Sequence, residues 1–197
     1  MKSRLLTTLA AAALLTAGTA TAQDWMVRLR VIDVDPAVST DGALSAMGIG
    51  VDNRFAPELD ITYFFTKNIA LELIAATTKH DISSFGATLG SVKVLPPTLT
   101  LQYHFTNLGA FKPYVGAGIN YTYFYDVNLL GGLGDVSKSS FGGALQVGMD
   151  YALDKNWVIN ADVKKIWINT DVTVGGLPMG NLEINPWVFG IGVGYRF

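Results

Sequence analysis

A chain of 197 residues without cysteine can hold neither a disulfide nor a thiolate metal site, and a formal net charge of −2 leaves no basic footprint for nucleic acid. Half of the residues are hydrophobic and only 15% are charged, yet past the N-terminus no apolar run approaches the roughly 20 residues that a spanning helix needs. The apolar residues therefore belong to alternating strands, and no Pro-, Ser- or charge-rich linker divides them into two domains.

Lys2 and Arg4, the apolar run from Leu5 to Leu15, and Ala20-Thr21-Ala22 read as the three regions of a signal peptide cleaved after Ala22. The alternative, a single membrane anchor, suits a longer run. The mature domain is then 23–197, with 12 basic against 16 acidic residues once Lys2 and Arg4 are removed, a formal net charge of −4.

The first predicted strand, 25–33, turns Val27, Leu29 and Val31 one way and Met26, Arg28, Arg30 and Ile32 the other. Residues 35–54, rich in Gly, Ser, Asp and Ala, read as a long loop. The second strand, 55–65, sets Leu59, Ile61, Tyr63 and Phe65 against Glu58, Asp60 and Thr62, and a tight turn at 66–68 follows. The third, 69–79, sets Leu71, Leu73 and Ala75 against Glu72, Ile74 and Ala76, with a loop at about 80–92.

The fourth strand, 97–105, opposes Leu99, Leu101, Tyr103 and Phe105 to Thr98, Thr100, Gln102 and His104. A turn at 106–111 leads to the fifth, 113–125, and a loop at 126–138 to the sixth, 140–153, which carries Gln146 and Asp150 on its polar face. After the turn at 154–156 comes the seventh, 157–170, with Ile159, Ala161 and Val163 opposite Asn160, Asp162 and Lys164. The loop at 171–182 leads to the eighth, Trp187 to Phe197, where large apolar residues alternate with Gly190, Gly192, Gly194 and Arg196.

That last strand alone would equally suit the core of a soluble β-sandwich. The connections decide, because they run long, short, long, short, long, short, long. Eight antiparallel strands with that rhythm gather the long loops at one end and the short turns at the other, as in an eight-stranded outer-membrane β-barrel. Aromatic residues fall into two belts. Tyr63, Phe65, Tyr103, Phe105, Tyr151, Trp157, Tyr195 and Phe197 lie beside the short turns, and Tyr121, Tyr123, Tyr125, Phe141, Trp167, Trp187 and Phe189 beside the long loops. The opposite face collects a polar network of Arg28, Arg30, Glu58, Asp60, Glu72, Gln102, His104, Gln146, Asp150, Asp162 and Arg196, together with Lys164. Strict alternation turns Lys165 outward, which either snorkelling to the outer headgroups or a bulge near 164–165 would accommodate.

The stretches Leu95-Pro96-Pro97-Thr98-Leu99, Pro113 to Thr122, Gln146 to Tyr151 and Pro186 to Phe197, with Leu71 to Thr77, resemble the OmpW family of eight-stranded outer-membrane barrels, which includes the alkane-uptake protein AlkL. The resemblance spans most of the mature chain. It implies location in the Gram-negative outer membrane among lipids and lipopolysaccharide, and porin-like passive uptake of small hydrophobic molecules through a narrow, apolar upper lumen with a sideways exit between strands. It further implies that Phe197 is the terminal aromatic read by the barrel-assembly machinery, and that Ile74 stands at an apolar constriction. At the facing position on the seventh strand the resemblance implies an aromatic, whereas this chain has Lys164.

Eight strands enclose little space, so no wide water pore is expected. Ile74, Ile166 and Ile168 face the upper lumen, with Leu44 and Met47 placed to fold over them; the alternative is that these residues only pack the barrel. Pro96 and Pro97 lack ladder donors, which predicts a lapse of pairing and a lateral opening, or else a simple strand start. His80 and His104 form no catalytic constellation with a serine, so no catalytic, cofactor or metal residue is assigned. A non-transporting barrel that serves as an anchor or surface receptor is the other function this pattern allows.

Overall fold

The computed structural model describes residues 24–197, so the predicted signal segment 1–22 lies outside the described residues. The strands are β1 (Trp25–Asp35), β2 (Ser39–Thr40), β3 (Ile49–Val51), β4 (Arg54–Phe64), β5 (Ile69–Ala76), β6 (Thr78–Ser84), β7 (Ala87–Leu95) and β8 (Thr98–His104). They continue as β9 (Phe111–Leu129), β10 (Gly134–Val136), β11 (Ser139–Ala152), β12 (Trp157–Ile166), β13 (Asn169–Val174), β14 (Leu177–Glu183) and β15 (Trp187–Arg196).

A strand with one oily and one polar face must hide one of them, and here eight strands do so by closing. Antiparallel ladders run β1–β4–β5–β8–β9–β11–β12–β15, and β15 pairs back onto β1. Register makes the sorting strict. Leu29 lies beside Leu59 and Val193, all outward, while Arg28 lies beside Asp60 and Gly194, all inward. Ile191 on the outside is 63% exposed and Arg28 on the inside 0%, the reverse of a water-soluble protein. Such a continuous apolar surface requires lipid around it.

Rings gather at both edges of that surface. Trp25 and Tyr63 meet at 4.8 Å, Trp157 and Tyr195 at 5.0 Å, and Tyr195 and Phe197 at 5.0 Å at the short-turn end. The turn before β12 is fixed by Asp154, whose carboxylate accepts from the Asn156 and Trp157 amides at 2.8 and 2.7 Å. These bonds lower its pKa below that of an ordinary aspartate.

The four long connections differ from the irregular loops expected. They are largely strand: β6 and β7 form a hairpin, β3 pairs with β6, β10 with β9 and β13, and β14 with β13 and β2. In these extensions the phase of the apolar residues inverts. On β1 the outward series Val27, Leu29 and Val31 gives way to inward Ile32 and Val34, and on β6 and β7 Ile82, Val92 and Val94 are buried inside. Outside the membrane water lies beyond the wall, so the oily face turns in.

Three expectations gain detail. The third strand divides after Ala76 into β5 and β6. Lys165 needs no bulge, since β12 pairs with β15 without a register shift; its amine reaches the Asn185 carbonyl and lies 4.9 Å from the Trp187 ring centroid. Pro96 and Pro97 stand where β7 has ended at Leu95 and just before β8 starts at Thr98, and β7 and β8 run along β9 in one register, from Leu95 beside Tyr123 to Thr98 beside Asn120.

Candidate functional site: an apolar cavity above a charged plug

Arg28 and Arg30 come one turn of pleat apart on β1, so both guanidinium groups enter the barrel. The glycines of β15 give them room: a Cβ on Gly192 would stand 2.8 Å from Arg30 Cγ, and one on Gly194 2.9 Å from Arg28 Cγ. Arg28 reaches Asp150 at 2.7 Å, Asp60 at 3.1 Å and Glu72 at 3.2 Å. Arg30 reaches Asp60 at 2.6 Å, Asp162 at 2.7 Å and Glu58 at 2.8 Å. Gln102 donates to Glu72 at 2.7 Å and Gln146 to Asp162 at 2.8 Å.

The predicted polar residues other than Arg196 thus converge into one plug. His104 bonds Gln102 at 2.9 Å and stacks 4.8 Å from Tyr114, a structural placement. Arg196 stands lower, its guanidinium 4.2 Å from the Phe64 ring at the short-turn end. Lys164, which alternation places on the polar face and the resemblance at the constriction, points its amine into the plug, 2.9 Å from Glu58 and 3.0 Å from Asp162. Pairing with two carboxylates explains how a buried amine is tolerated there. Tyr114 and Asn160, bonded at 3.1 Å, also belong to the plug. Their inward phase was legible; their partners were not.

Above the plug lies a cavity of about 1290 Å³, counting its solvent-open mouth. Ile74, Ile166 and Ile168 line it, as do Leu44 and Met47 from the first extension. Glu58 and Lys164 form part of its lining where it meets the plug. Sequence reasoning missed Ile82, Val94, Phe124, Val136, Val172 and Leu182, the apolar residues that the other extensions contribute. Their phase inversion was the available signal.

One side of this wall is incompletely bonded. β5 pairs with β8 up to Ile74 beside Thr98, and β6 pairs with β7 from Thr78 beside Val94, in the same register. Residues 75–77 have no ladder pairs with residues 95–97, where two successive prolines offer no N–H, although Ala75 and Ala76 pair with β4 and Leu95 with β9. Ala76 and Pro96, both half-buried, line the cavity at this gap. On the other side of β6, His80 Nδ1 donates to the Asp52 carbonyl at 2.8 Å, Nε2 accepts from the Thr78 hydroxyl at 2.9 Å, and burial lowers the ring's pKa.

Comparison with known proteins agrees with this architecture. The model of the OmpW family matches residues 21–197. The chain is 46% identical to an uncharacterized outer-membrane protein, y4mB, of Sinorhizobium fredii, over 88% of this chain and 80% of that one. It is 40% identical to outer membrane protein W of Vibrio cholerae, covering 88% of each. The crystal structure of the outer membrane protein OprG from Pseudomonas aeruginosa superposes with a TM-score of 0.78 at 30% identity, covering 88% of this chain and 95% of that one. With the closed wall, the outward apolar face and these relatives in agreement, the chain belongs to the OmpW family and is an outer-membrane β-barrel.

Proposed function

We propose that this barrel is a passive channel for small hydrophobic molecules, which enter the apolar cavity from outside and leave sideways into the membrane through the gap at Ala76 and Pro96. The observation that carries this reading is the pairing of an apolar cavity with a sealed, charged plug beneath it and a gap in the bonding of its wall. An apolar solute gains by entering the cavity and would lose by crossing the plug, so the sideways route is the favourable one. Chemistry has no support in the site: both described histidines are held by structural partners. Phe197, outward and bonded to the Trp25 carbonyl at 2.9 Å, fits the role of terminal aromatic presented to the assembly machinery.

Uptake of an apolar fluorescent tracer by cells with and without the protein tests the proposal. The protein should raise the initial rate, and Ile74→Arg, which puts a charge into the cavity, should remove at least about 90% of that gain, a loss of about 1.4 kcal/mol or more in barrier terms. Equal uptake with and without the protein would reject transport and favour an anchor or receptor.

A further inference from the structure

Just above the gap, the outer face of the β6–β7 hairpin carries two lysines directly opposite one another. Lys79 and Lys93 are register partners. Their strand neighbours Thr78, His80, Val92 and Val94 are buried inside, so both lysines point out. Like charges facing across an antiparallel pair destabilise it unless a counter-charge lies between them.

The chain supplies one such charge. The register of β7 against β9 shifts between Ser91 and Lys93, and at this irregularity Asp126 takes a left-handed φ of 51°. The bulge aims its carboxylate 2.7 Å from Lys93 Nζ, and the pull of Lys93, with Lys79 nearby, lowers its pKa. Asp126 pairs with Lys93, and the Lys79 ammonium has no hydrogen bond or ion pair among the described residues. Of the two lysines and Asp126 one positive charge is left over, since Asp81, the next outward residue on β6, is taken by Arg54 at 2.6 Å.

Its height is set by the tyrosines beside it. Lys93 lies beside Tyr125 and Leu95 beside Tyr123; the two rings stack at 6.2 Å, and the Tyr125 hydroxyl meets Thr77 Oγ1 at 2.6 Å. These rings belong to the upper aromatic belt, which marks the headgroup level of the outer leaflet. Lys79, two residues past Thr77, stands about 7 Å farther along the strand. Phosphate is the anion found at that depth.

We propose that Lys79 and Lys93 clamp a phosphate of an outer-leaflet glycolipid of the lipid A type, whose acyl chain then lies against residues 75–77 and 95–97. The clamp depends on the barrel's place in the membrane and not on uptake, and it is read by binding alone, so its failure and the failure of the transport proposal are separable.

Native mass spectrometry of the full mature barrel in detergent, titrated with bisphosphorylated lipid A, tests it. Two basic contacts at a membrane surface predict about thirtyfold weaker retention in Lys79→Gln/Lys93→Gln. Lys79→Arg/Lys93→Arg should retain the lipid, and Lys67→Gln/Lys155→Gln at the short turns should leave retention unchanged. Dephosphorylated lipid A should bind the unaltered protein as weakly as the phosphorylated lipid binds the glutamine variant, an arm that does not depend on any variant folding. Equal retention by the glutamine variant, equal binding of the dephosphorylated lipid, or displacement by millimolar inorganic phosphate, which would mark a free-anion site, overturns the proposal.

Discussion

Lys164 and Glu58 meet 2.9 Å apart across the lumen although they belong to β12 and β4, which are separated in the wall by β15 and β1. The contact ties opposite margins of the closing seam. Lys164→Met leaves Glu58 and Asp162 buried without this cation and is expected to destabilise the barrel by about 3–5 kcal/mol. The loss should appear as a lower temperature at which the barrel gives up its compact electrophoretic form in detergent. Adding Glu58→Gln should return a good part of it. A double variant as weak as the single one would place the loss elsewhere.

The gap in the wall can be locked. The chain has no native thiol, so Ala76→Cys/Pro96→Cys introduces the only pair. Oxidation should lower apolar-tracer uptake about tenfold, and reduction should restore it. Unchanged uptake in the oxidised, mass-verified disulfide would show that solutes do not leave there.

Gly192 lies on the seam strand, where a Cβ would stand 2.1 Å from the Leu29 carbonyl oxygen and 2.7 Å from Arg30 Cα. Backbone cannot yield as a side chain does, so Gly192→Ala should cost at least about 1–3 kcal/mol and reduce the folded fraction recovered from membranes. Gly143, whose Cβ would come no nearer than 3.4 Å to the Trp167 ring and 4.0 Å to the Gly118 carbonyl oxygen, is the control; Gly143→Ala should fold normally.

His80 gives a pH dependence with a definite sign. Burial lowers its folded pKa below the usual value of about 6.5, with Arg54 adding to the shift and Asp52 and Asp81 opposing it. The opened segment therefore binds a proton more readily than the closed one, and closure weakens as pH falls below about 6.5. Protection of the Asp81 amide, which donates to Asp52 Oδ1 at 2.7 Å, should fall over that range in hydrogen exchange. His80→Gln should flatten the profile.

The eight wall strands were legible because one phase of alternation persists across each, as in Val27, Leu29 and Val31. The extensions were not, since the alternation reverses between Val31 and Ile32, and register shifts at Ile82/Ser83 and Val172/Thr173 break the period again. Turn-forming residues such as Gly86 and Gly175 then made hairpins look like loops. The polar network was readable as a set of inward residues. Lys164 was among them; that its amine reaches Glu58 on β4 depends on the length of its side chain, which no strand-by-strand reading contains.

The smooth inner surface of β15 has one more consequence. Arg30 on β1 meets Asp162 on β12 at 2.7 Å by passing over Gly190, where a Cβ would come within 2.4 Å of the Asp162 carboxylate. The final strand thus slides beneath a clasp whose two halves it does not own. Once home it is strapped down by its neighbours, so unzipping the cylinder at its first and last staves means undoing the buckle above them as well.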